Sequence, residues 1–560
     1  MYKHFFRKAA TGLACVFLFC LPDRTFSQVS FTADEQVAPL SGPFRAGYNS
    51  GYQPGWNDQS LADIAAGNPA IGIAGVGCRT VRQGLYFELF NIWGYGIRLP
   101  EVQHYESLGM GELTGLIWGG ANGGSEAPPP TAFRDLTEYC PGHPSEVFKN
   151  LYLPIWDGNN GTPINEDNFF AAYVYKTVET YRDHVRFWEI WNEPGFDFTG
   201  DKGWRPAGDP AGNWWDQNPD PCDFRLRAPI FNYVRMLHIA WEVVKTLDPD
   251  AFVCCGAPGY QSFLDAVLRN TDNPADGSVS ADFPKKGGAY FDALCYHSYP
   301  HFDGSTVLDP VTKALMRNSD RAADGMIDTR NYFQVPLAAH GYDGVVFPKK
   351  QFVVTETNLP RRPFSSKSFF GSDLAQRNFM PKAVVNCMKF GIPQMDVFAI
   401  GERKLLADAA YEFDLMGLYQ RLDNLVPGAI QLNEEGISLA STNKLLFGTS
   451  HDPARSAAIG AAANIRAEAF ATTEPGKFIY AIWAKTQVDS SENAAATFSF
   501  PTAMQFESLE KAEWDYSQTG LIGGIAPTGI ALTGTPIFLI GKDKSVATFS
   551  IKTGGFGLEI

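Results

Sequence analysis

The sequence predicts an α/β protein in which a (β/α)8 barrel, residues 28–435, is followed by an all-β sandwich, residues 436–560. Between residues 44 and 400, short apolar runs typical of buried parallel strands alternate with amphipathic helical segments. After about residue 435 the pattern changes to short alternating runs separated by Gly, Pro, Thr and Asp. A length of 560 residues with 45% hydrophobic side chains accommodates both units and a substantial core.

Residues 1–27 have the pattern of a cleaved signal peptide. Basic residues at positions 3, 7 and 8 precede an apolar stretch over 9–21, and the small residues Thr25 and Ser27 precede a cut before Gln28. Lipid attachment at Cys20 is a second, less favoured reading because the residue before it is bulky. No later segment has about 18 consecutive apolar residues, so we expect no membrane span and a secreted, periplasmic or cell-surface protein.

The barrel prediction rests on eight strand candidates and two well-defined helices. Residues 227–247 place apolar side chains at steps of three and four, as an amphipathic helix does. A second helix is predicted over 165–181, with Glu166 and Asp167 in its first turn, where acidic groups suit the helix dipole. The predicted strands are 44–48, 78–83, 113–118, 185–191, 251–256, 291–296, 351–355 and 394–400.

The C-terminal unit is predicted to be a β-sandwich because residues 477–485 alternate apolar and polar side chains. Structural support is the favoured role for this accessory unit, and carbohydrate binding is the alternative. Its other strand candidates are 496–500, 509–516, 536–540 and 545–551.

Charge and cysteine content exclude several classes of function. With 46 Lys+Arg against 61 Asp+Glu and a net charge of −15, nucleic acid is not an expected partner. No C-x-x-C pattern is present, and Pro300 separates His297 from His301 after a strand, so neither a metal nor an organic cofactor is predicted. Cys140 and Cys222 lie in polar, Pro-rich loops, where a disulfide between them is an open possibility. The cysteines in apolar runs are predicted to be buried thiols: Cys78, Cys254, Cys255 and Cys295.

Two predicted strands carry a glutamate at their carboxyl end. The first, by count the fourth strand, ends in Asn192-Glu193 and is stopped by Pro194. The second, by count the seventh, ends at Glu356. Because the carboxyl ends of barrel strands form the active face, the pair suits glycosidic cleavage, which needs one acid and one nucleophile or base.

The sequence W-N-E-P at 191–194, with Glu356 about 160 residues later, resembles clan A of the retaining glycoside hydrolases. The resemblance covers roughly residues 44–405. It implies a (β/α)8 barrel with Glu193 as acid/base, Glu356 as nucleophile and Asn192 in contact with the sugar 2-hydroxyl. A raised pKa is expected for Glu193, from a partly apolar pocket and the nearby nucleophile.

Further positions match this clan less specifically. The motif YHSY at 296–299 resembles its strand-6 His-x-Tyr, which makes His297 and Tyr299 substrate-site residues, with the tyrosine holding the nucleophile. Arg82 matches the strand-2 arginine that supports the nucleophile, with Arg79 as a competitor. The frequent strand-8 tryptophan is missing, since residues 396–401 read DVFAIG.

Aromatic residues are concentrated in the loops expected on the active face, where their rings would stack on sugars. Trp118, beside two glycines, is the strongest single candidate. Glu189, which shares strand parity with Glu193, is instead expected to be buried and paired with an arginine. The other loop aromatics are Tyr48, Tyr52, Trp56, Phe196, Trp204, Trp214 and Trp215.

These observations predict a secreted, retaining glycoside hydrolase that cleaves a β-linked polysaccharide, with an endo-β-1,3-glucanase as the favoured specificity. The alternatives are an exo-acting β-glycosidase and an enzyme active on agarose, xylan or mannan. A non-catalytic glycan-binding surface protein is the alternative of another class, and the presence of both glutamates speaks against it. The expected partner is a polysaccharide or oligosaccharide, and the oligomeric state is left open.

Overall fold

The computed structural model describes residues 38–49, 51, 53–120, 128–158, 163–302, 316–364, 370–422 and 429–544. In this part of the chain, β1 to β8 form a closed barrel in sequence order, with every neighbouring pair parallel and β1 pairing with β8. The predicted (β/α)8 fold is confirmed. The barrel strands are β1 Arg45–Asn49, β2 Thr80–Tyr86, β3 Leu113–Trp118, β4 Val185–Ile190, β5 Phe252–Cys255, β6 Ala293–Ser298, β7 Gln351–Thr357 and β8 Gln394–Val397.

Most of the helices surround this barrel and pack on its hydrophobic core, whereas the helix at residues 453–459 packs on the core of the C-terminal unit. Within the described ranges, no helix combines the length and apolar character that a bilayer span requires. The helices are α1 Asp58–Ala66, α2 Phe87–Trp93, α3 Leu99–Ser107, α4 Phe169–Tyr181, α5 Ile230–Leu247, α6 Gln261–Arg269, α7 Ser319–Ala339, α8 Asp373–Lys389, α9 Glu434–Leu446, α10 Pro453–Ile459 and α11 Tyr516–Thr519.

The start of α4 corrects one sequence prediction. The Asn168 side chain accepts a hydrogen bond from the Ala171 N–H, which caps the helix and makes Phe169 its first residue. Glu166 and Asp167 therefore precede the helix instead of occupying its first turn. Asn168 is fully buried, and its amide also donates to the carbonyls of two residues in the preceding loop. This tertiary anchoring decides where the helix begins.

The C-terminal unit consists of two antiparallel sheets, as predicted. The larger sheet has the strand order β14-β13-β16-β11-β10-β9, and the smaller one pairs β12 with β15. A separate hydrophobic core lies between the two. The predicted strand 545–551 lies outside the described residues. The strands are β9 Ser450–His451, β10 Ile465–Ala471, β11 Lys477–Ala484, β12 Ala495–Phe498, β13 Phe506–Ala512, β14 Ile522–Gly524, β15 Ile530–Thr533 and β16 Ile537–Asp543.

Strand β11 joins the sandwich to the barrel because its two faces pack on different cores. Tyr480 and Ile482 lie in the sandwich core, whereas Ile479 and Trp483 belong to the barrel core, as the two-residue period of a strand dictates. The Trp483 Nε1–H also donates to Asp320 Oδ1 at 2.6 Å, at the start of α7. The larger sheet thus braces the barrel helices. The predicted boundary at residue 435 falls in the first turn of α9.

A disulfide joins Cys140 and Cys222, the pair that the sequence left open. Cys140 lies between β3 and α4, and Cys222 lies between β4 and α5, so the bond connects two loops that follow barrel strands. The four cysteines predicted as buried thiols are buried and free.

Removing this disulfide is expected to destabilise the protein. The bond closes a loop with a sequence separation of 82 residues, for which chain entropy predicts a stabilisation of about 3–5 kcal/mol. A Cys140→Ser, Cys222→Ser double variant should unfold at a lower temperature and a lower urea concentration than the oxidised wild type. A non-thiol reductant should lower the wild-type midpoint to that of the variant and leave the variant unchanged. Equal midpoints in oxidised wild type and variant would contradict this prediction.

Candidate active site

The two predicted glutamates lie at the carboxyl end of the barrel, as their strand positions require. Glu356 is the penultimate residue of β7, and Glu193 lies three residues after the end of β4. The backbone at Trp191 and Glu193 is left-handed, with φ of 71° and 46°, a conformation that costs a non-glycine residue about 1–2 kcal/mol. Gly256 permits this sharp turn, since a Cβ there would lie 2.2 Å from the Trp191 carbonyl oxygen. This strained turn places Glu193 at the end of the barrel.

Arg82 donates hydrogen bonds to four side chains of the site. Its Nε donates to Glu189 Oε2 at 2.5 Å, one terminal nitrogen donates to Glu356 Oε1 at 2.7 Å and to Asn49 Oδ1 at 2.9 Å, and the other donates to Asn192 Oδ1 at 2.8 Å. Burial opposes the charge of Arg82, but the two carboxylates raise its pKa, so it stays a cation. The expected pairing of buried Glu189 with an arginine is confirmed. Asn49, the last residue of β1, is a member that the sequence did not suggest.

Arg79, the other arginine that the sequence offered as a partner of the nucleophile, packs on an aromatic ring. Arg79 stacks on Phe447, with its guanidinium carbon 4.9 Å from the ring centre. Of the two arginines that the sequence offered, the structure therefore brings Arg82 to the glutamates.

Tyr299 fixes the other oxygen of Glu356. Its hydroxyl donates to Glu356 Oε2 at 2.5 Å. Burial, followed by the negative charge of Glu356, raises the pKa of Tyr299 well above its usual 10, so the phenol remains a neutral donor. Glu356 is thus held through both oxygens, by the guanidinium of Arg82 on one side and the phenol on the other.

His297 lies between the two glutamates. Its Nδ1 is 2.8 Å from Glu193 Oε1, and its Nε2 is 3.6 Å from Glu356 Oε1, which is too long for a hydrogen bond. Burial acts to lower the pKa of His297, but Glu356 and then Glu193 raise it above its ordinary 6.5. Both carboxylates thus favour the protonated form of His297.

The pKa of Glu193 corrects the sequence expectation. Burial raises it, as expected for an acid in an apolar pocket. The hydrogen bond and charge of His297, followed by the charges of Arg225 and Arg82, outweigh burial and lower it to about 2. The contact between His297 and Glu193 thus lowers the pKa of the carboxyl group and raises that of the imidazole.

Arg225 is the main site residue that sequence reasoning missed. It is only 3% exposed, donates to the Asn192 carbonyl oxygen at 3.1 Å and lies 3.6 Å from Glu193 Oε2. Its guanidinium covers the Phe196 ring at 4.9 Å. Arg225 belongs to the long connection between β4 and α5, where no strand end or motif marks it. The disulfide at Cys222 anchors this part of the connection.

An aromatic cluster lies beside Tyr299. Phe398 directly follows β8, where the clan's tryptophan is absent, and its ring is 6.2 Å from that of Tyr299. Phe413 packs edge-on to both rings, at 5.0 Å from Tyr299 and 5.6 Å from Phe398. This cluster flanks the Glu356 side of the site.

The aromatic residues predicted to contact sugar differ in their exposure. Trp118 is only 4% exposed and packs against the edge of Tyr86, and its contact with sugar stays a prediction. Trp214 is also buried, whereas Phe196 and Trp204 are 42% and 60% exposed. Tyr52 lies outside the described residues. The exposed rings of this set thus come from the connection after β4.

No protein-family model and no curated protein matches the chain. Among solved structures, the fold is similar to that of an α-L-arabinofuranosidase from Thermotoga maritima (TM-score 0.47, 11% identity, covering 91% of this chain and 98% of that one). It is also similar to the catalytic domain of GH30 xylanase C from Talaromyces cellulolyticus (TM-score 0.46, 9% identity, 91% and 98%). A third is a family 44 xyloglucanase from Paenibacillus polymyxa (TM-score 0.43, 12% identity, 90% and 97%). Likenesses this distant identify neither a substrate nor a reaction.

The chain nevertheless has the two structural features that the clan A resemblance implies. Its barrel is closed and parallel, and its paired glutamates lie just after the fourth strand and near the end of the seventh. In the ranges that the structure describes, His, Cys, Asp and Glu side chains form no group of three or more suited to a metal ion.

The histidine–glutamate pair predicts a specific pH dependence. Because His297 keeps its proton above pH 6.5, kcat/KM of the wild type should fall on the basic side only above that pH, when the pair loses the proton. In His297→Asn, Glu193 must hold the proton alone. Its pKa then returns toward the ordinary carboxylate range, and activity at pH 7 should drop by about two orders of magnitude.

The measurement is kcat/KM against pH for both proteins. The variant should recover much of its activity below pH 5, because Glu193 is protonated there. An unshifted basic limb in the variant would show that His297 does not carry the proton.

Proposed function

We propose that this protein is a retaining glycoside hydrolase acting on a β-linked glycan, with Glu193 as acid/base and Glu356 as nucleophile. One observation carries the proposal: a single buried imidazole, His297, lies between two carboxylates at the carboxyl ends of β4 and β7. Glycosidic cleavage requires such a pair, one member delivering a proton and the other attacking the anomeric carbon.

In the first step, Glu356 attacks the anomeric carbon while the bond to the leaving-group oxygen breaks. Hydrogen bonds from Arg82 and Tyr299 hold Glu356 in a fixed orientation before the attack, which supports a nucleophilic role. The proton stored on His297 passes to Glu193 along their 2.8 Å hydrogen bond, and Glu193 delivers it to the leaving group. The products are the free leaving group and a glycosyl ester of Glu356.

In the second step, Glu193 is a base. Esterification removes the negative charge of Glu356, which is the largest contribution that raises the pKa of His297. The imidazole therefore stays neutral, and Glu193 is free to accept the proton of an attacking water. Water adds to the anomeric carbon, Glu356 leaves as a carboxylate, and the configuration of the substrate is restored.

A polysaccharide is the proposed substrate, and cleavage within the chain is the proposed mode. Long connections follow β3, β4 and β6, which suits an open cleft. A β-1,3-glucan is the first substrate to test, on the resemblance alone. Xylan, mannan, β-galactan and agarose belong in the same panel, together with aryl β-glycosides that detect an exo-acting enzyme.

Stereochemistry is the direct test of this proposal. Proton NMR of the first product formed from a β-linked substrate should display the β-anomer before mutarotation. An α-anomer as the first product would exclude a glycosyl ester on Glu356. Binding to the panel without release of reducing ends would favour the non-catalytic, glycan-binding alternative.

Export from the cytoplasm is part of the proposal. A signal-like segment at residues 1–27 and the Cys140–Cys222 disulfide support it, because such bonds persist in oxidising compartments. Cell fractionation followed by N-terminal sequencing should locate the mature protein outside the cytoplasm, starting at Gln28. Retention of residues 1–27 on a cytoplasmic protein would contradict it.

A further inference from the structure

The connection between β4 and α5 contains a small two-stranded ribbon next to Glu193. Residues 196–198 run antiparallel to residues 223–225: Asp197 pairs with Phe224, the Phe198 N–H donates to Asp223, and the Arg225 N–H donates to Phe196. We call this element the β4–α5 ribbon. It begins three residues after the acid/base and ends beside the Cys140–Cys222 disulfide.

The two sides of the ribbon differ sharply in exposure. Asp197 and Phe224 are buried, at 4% and 0% exposure. The Asp197 carboxylate accepts backbone N–H donors from residues 199, 200 and 203, which fixes the first strand. On the other side, Phe196 is 42% exposed, and its ring centre is 5.9 Å from that of Phe198.

Each of these two rings is backed by an arginine. Arg225 covers Phe196 at 4.9 Å, and Arg227 covers Phe198 at 4.4 Å. Arg225 is itself buried and bonded to Asn192, so the Phe196 ring is held by the acid/base turn. A large apolar ring that is rigid on one face and open to solvent on the other is a ready-made stacking surface.

The contacts of Glu193 determine on which side of the cleavage point this surface lies. Its Oε1 lies 2.8 Å from His297 Nδ1, on the side of Glu356, whereas its Oε2 lies 3.6 Å from Arg225, whose guanidinium covers the Phe196 ring. The acid must lie beside the leaving-group oxygen, and the nucleophile lies on the side of the sugar that becomes esterified. Phe196 is therefore on the leaving-group side.

We propose that Phe196, with Phe198 behind it, forms a sugar-binding subsite for the leaving-group part of the substrate. This inference rests on the proposed function, which supplies the direction of the chain. The occupant is a pyranose ring whose C–H face packs on the exposed face of Phe196. The same subsite receives an acceptor sugar, whose hydroxyl attacks the glycosyl ester of Glu356 while Glu193 takes its proton and Glu356 leaves as a carboxylate.

The subsite can be tested by measuring how the glycosyl ester of Glu356 partitions between water and an acceptor sugar. The donor is the β-glycosyl fluoride of the sugar that the wild type cleaves, and the acceptor is the matching β-linked disaccharide. Phe196→Ala should lower the ratio of transfer to hydrolysis by about five- to thirtyfold. The ratio does not depend on how much of the enzyme is folded. Phe196→Tyr keeps an aromatic ring and should preserve it.

Phe390→Ala is the matched control, because Phe390 is 40% exposed and lies beside a cation, Lys389, but precedes β8 at the opposite end of the barrel. It should leave the ratio and the hydrolysis rate at wild-type values. An unchanged ratio in Phe196→Ala, or an equal loss in Phe390→Ala, would overturn the subsite. Failure of the wild type to release fluoride from any donor in the panel would instead overturn the proposed function, and the subsite with it.

Discussion

Replacing Glu356 by alanine should reduce hydrolysis of ordinary substrates by about 10⁴-fold or more, because no glycosyl ester can form. The loss should not reflect unfolding. Arg82, the buried partner of Glu356, keeps Glu189 at 2.5 Å and Asn192 at 2.8 Å. Initial rates on the polysaccharide, together with thermal melting of the variant, provide the measurement.

Azide identifies the role of the missing carboxylate. It fits the space that Glu356 leaves and attacks the anomeric carbon from that side, while Glu193 still protonates the leaving group. The product from a β-linked substrate should be an α-glycosyl azide, with inverted configuration. Glu138→Ala, which removes an exposed carboxylate between β3 and α4, is the control and should behave like the wild type. Near-normal turnover in Glu356→Ala would mean that Glu356 is not the nucleophile.

The features that could be predicted are those that a short stretch of sequence encodes by itself, such as a strand and the residue at its end. Several of the eight barrel strands are nearly continuous apolar runs, and the end of a strand in a parallel barrel places a residue on the active face without further information. Glu193 and Glu356 could therefore be placed from the sequence, whereas Arg82 and Tyr299 were suggested by the clan A resemblance. Asn49 has the same signal at the end of β1 and was overlooked.

The elements that were not predicted depend on contacts between distant parts of the chain. Arg225 lies near Glu193 because the β4–α5 ribbon folds back beside the disulfide. The sequence left this disulfide open, and no pattern in residues 195–229 predicts the ribbon. The pKa of Glu193 was mispredicted for a related reason. The sequence suggested burial, which raises the pKa, but the lowering comes from His297 and Arg225, which belong to other segments.

Replacing Glu193 by alanine should separate the two chemical steps. Without Glu193 no proton reaches an ordinary leaving group, so polysaccharide cleavage should fall by several orders of magnitude. An activated aryl β-glycoside needs no such proton, and Glu356 should still form the ester with it. The ester should then accumulate, because water lacks its base, and mass spectrometry of the intact protein should detect the added sugar. Azide needs no base and should release a β-glycosyl azide, of retained configuration, which is the opposite outcome to that in Glu356→Ala.

Exchange of the two azide outcomes between the variants would show that the roles of the two glutamates are swapped. The contrast follows from the different partners of the two carboxylates: Glu193 contacts His297 and Arg225, whereas Glu356 is held by Arg82 and Tyr299.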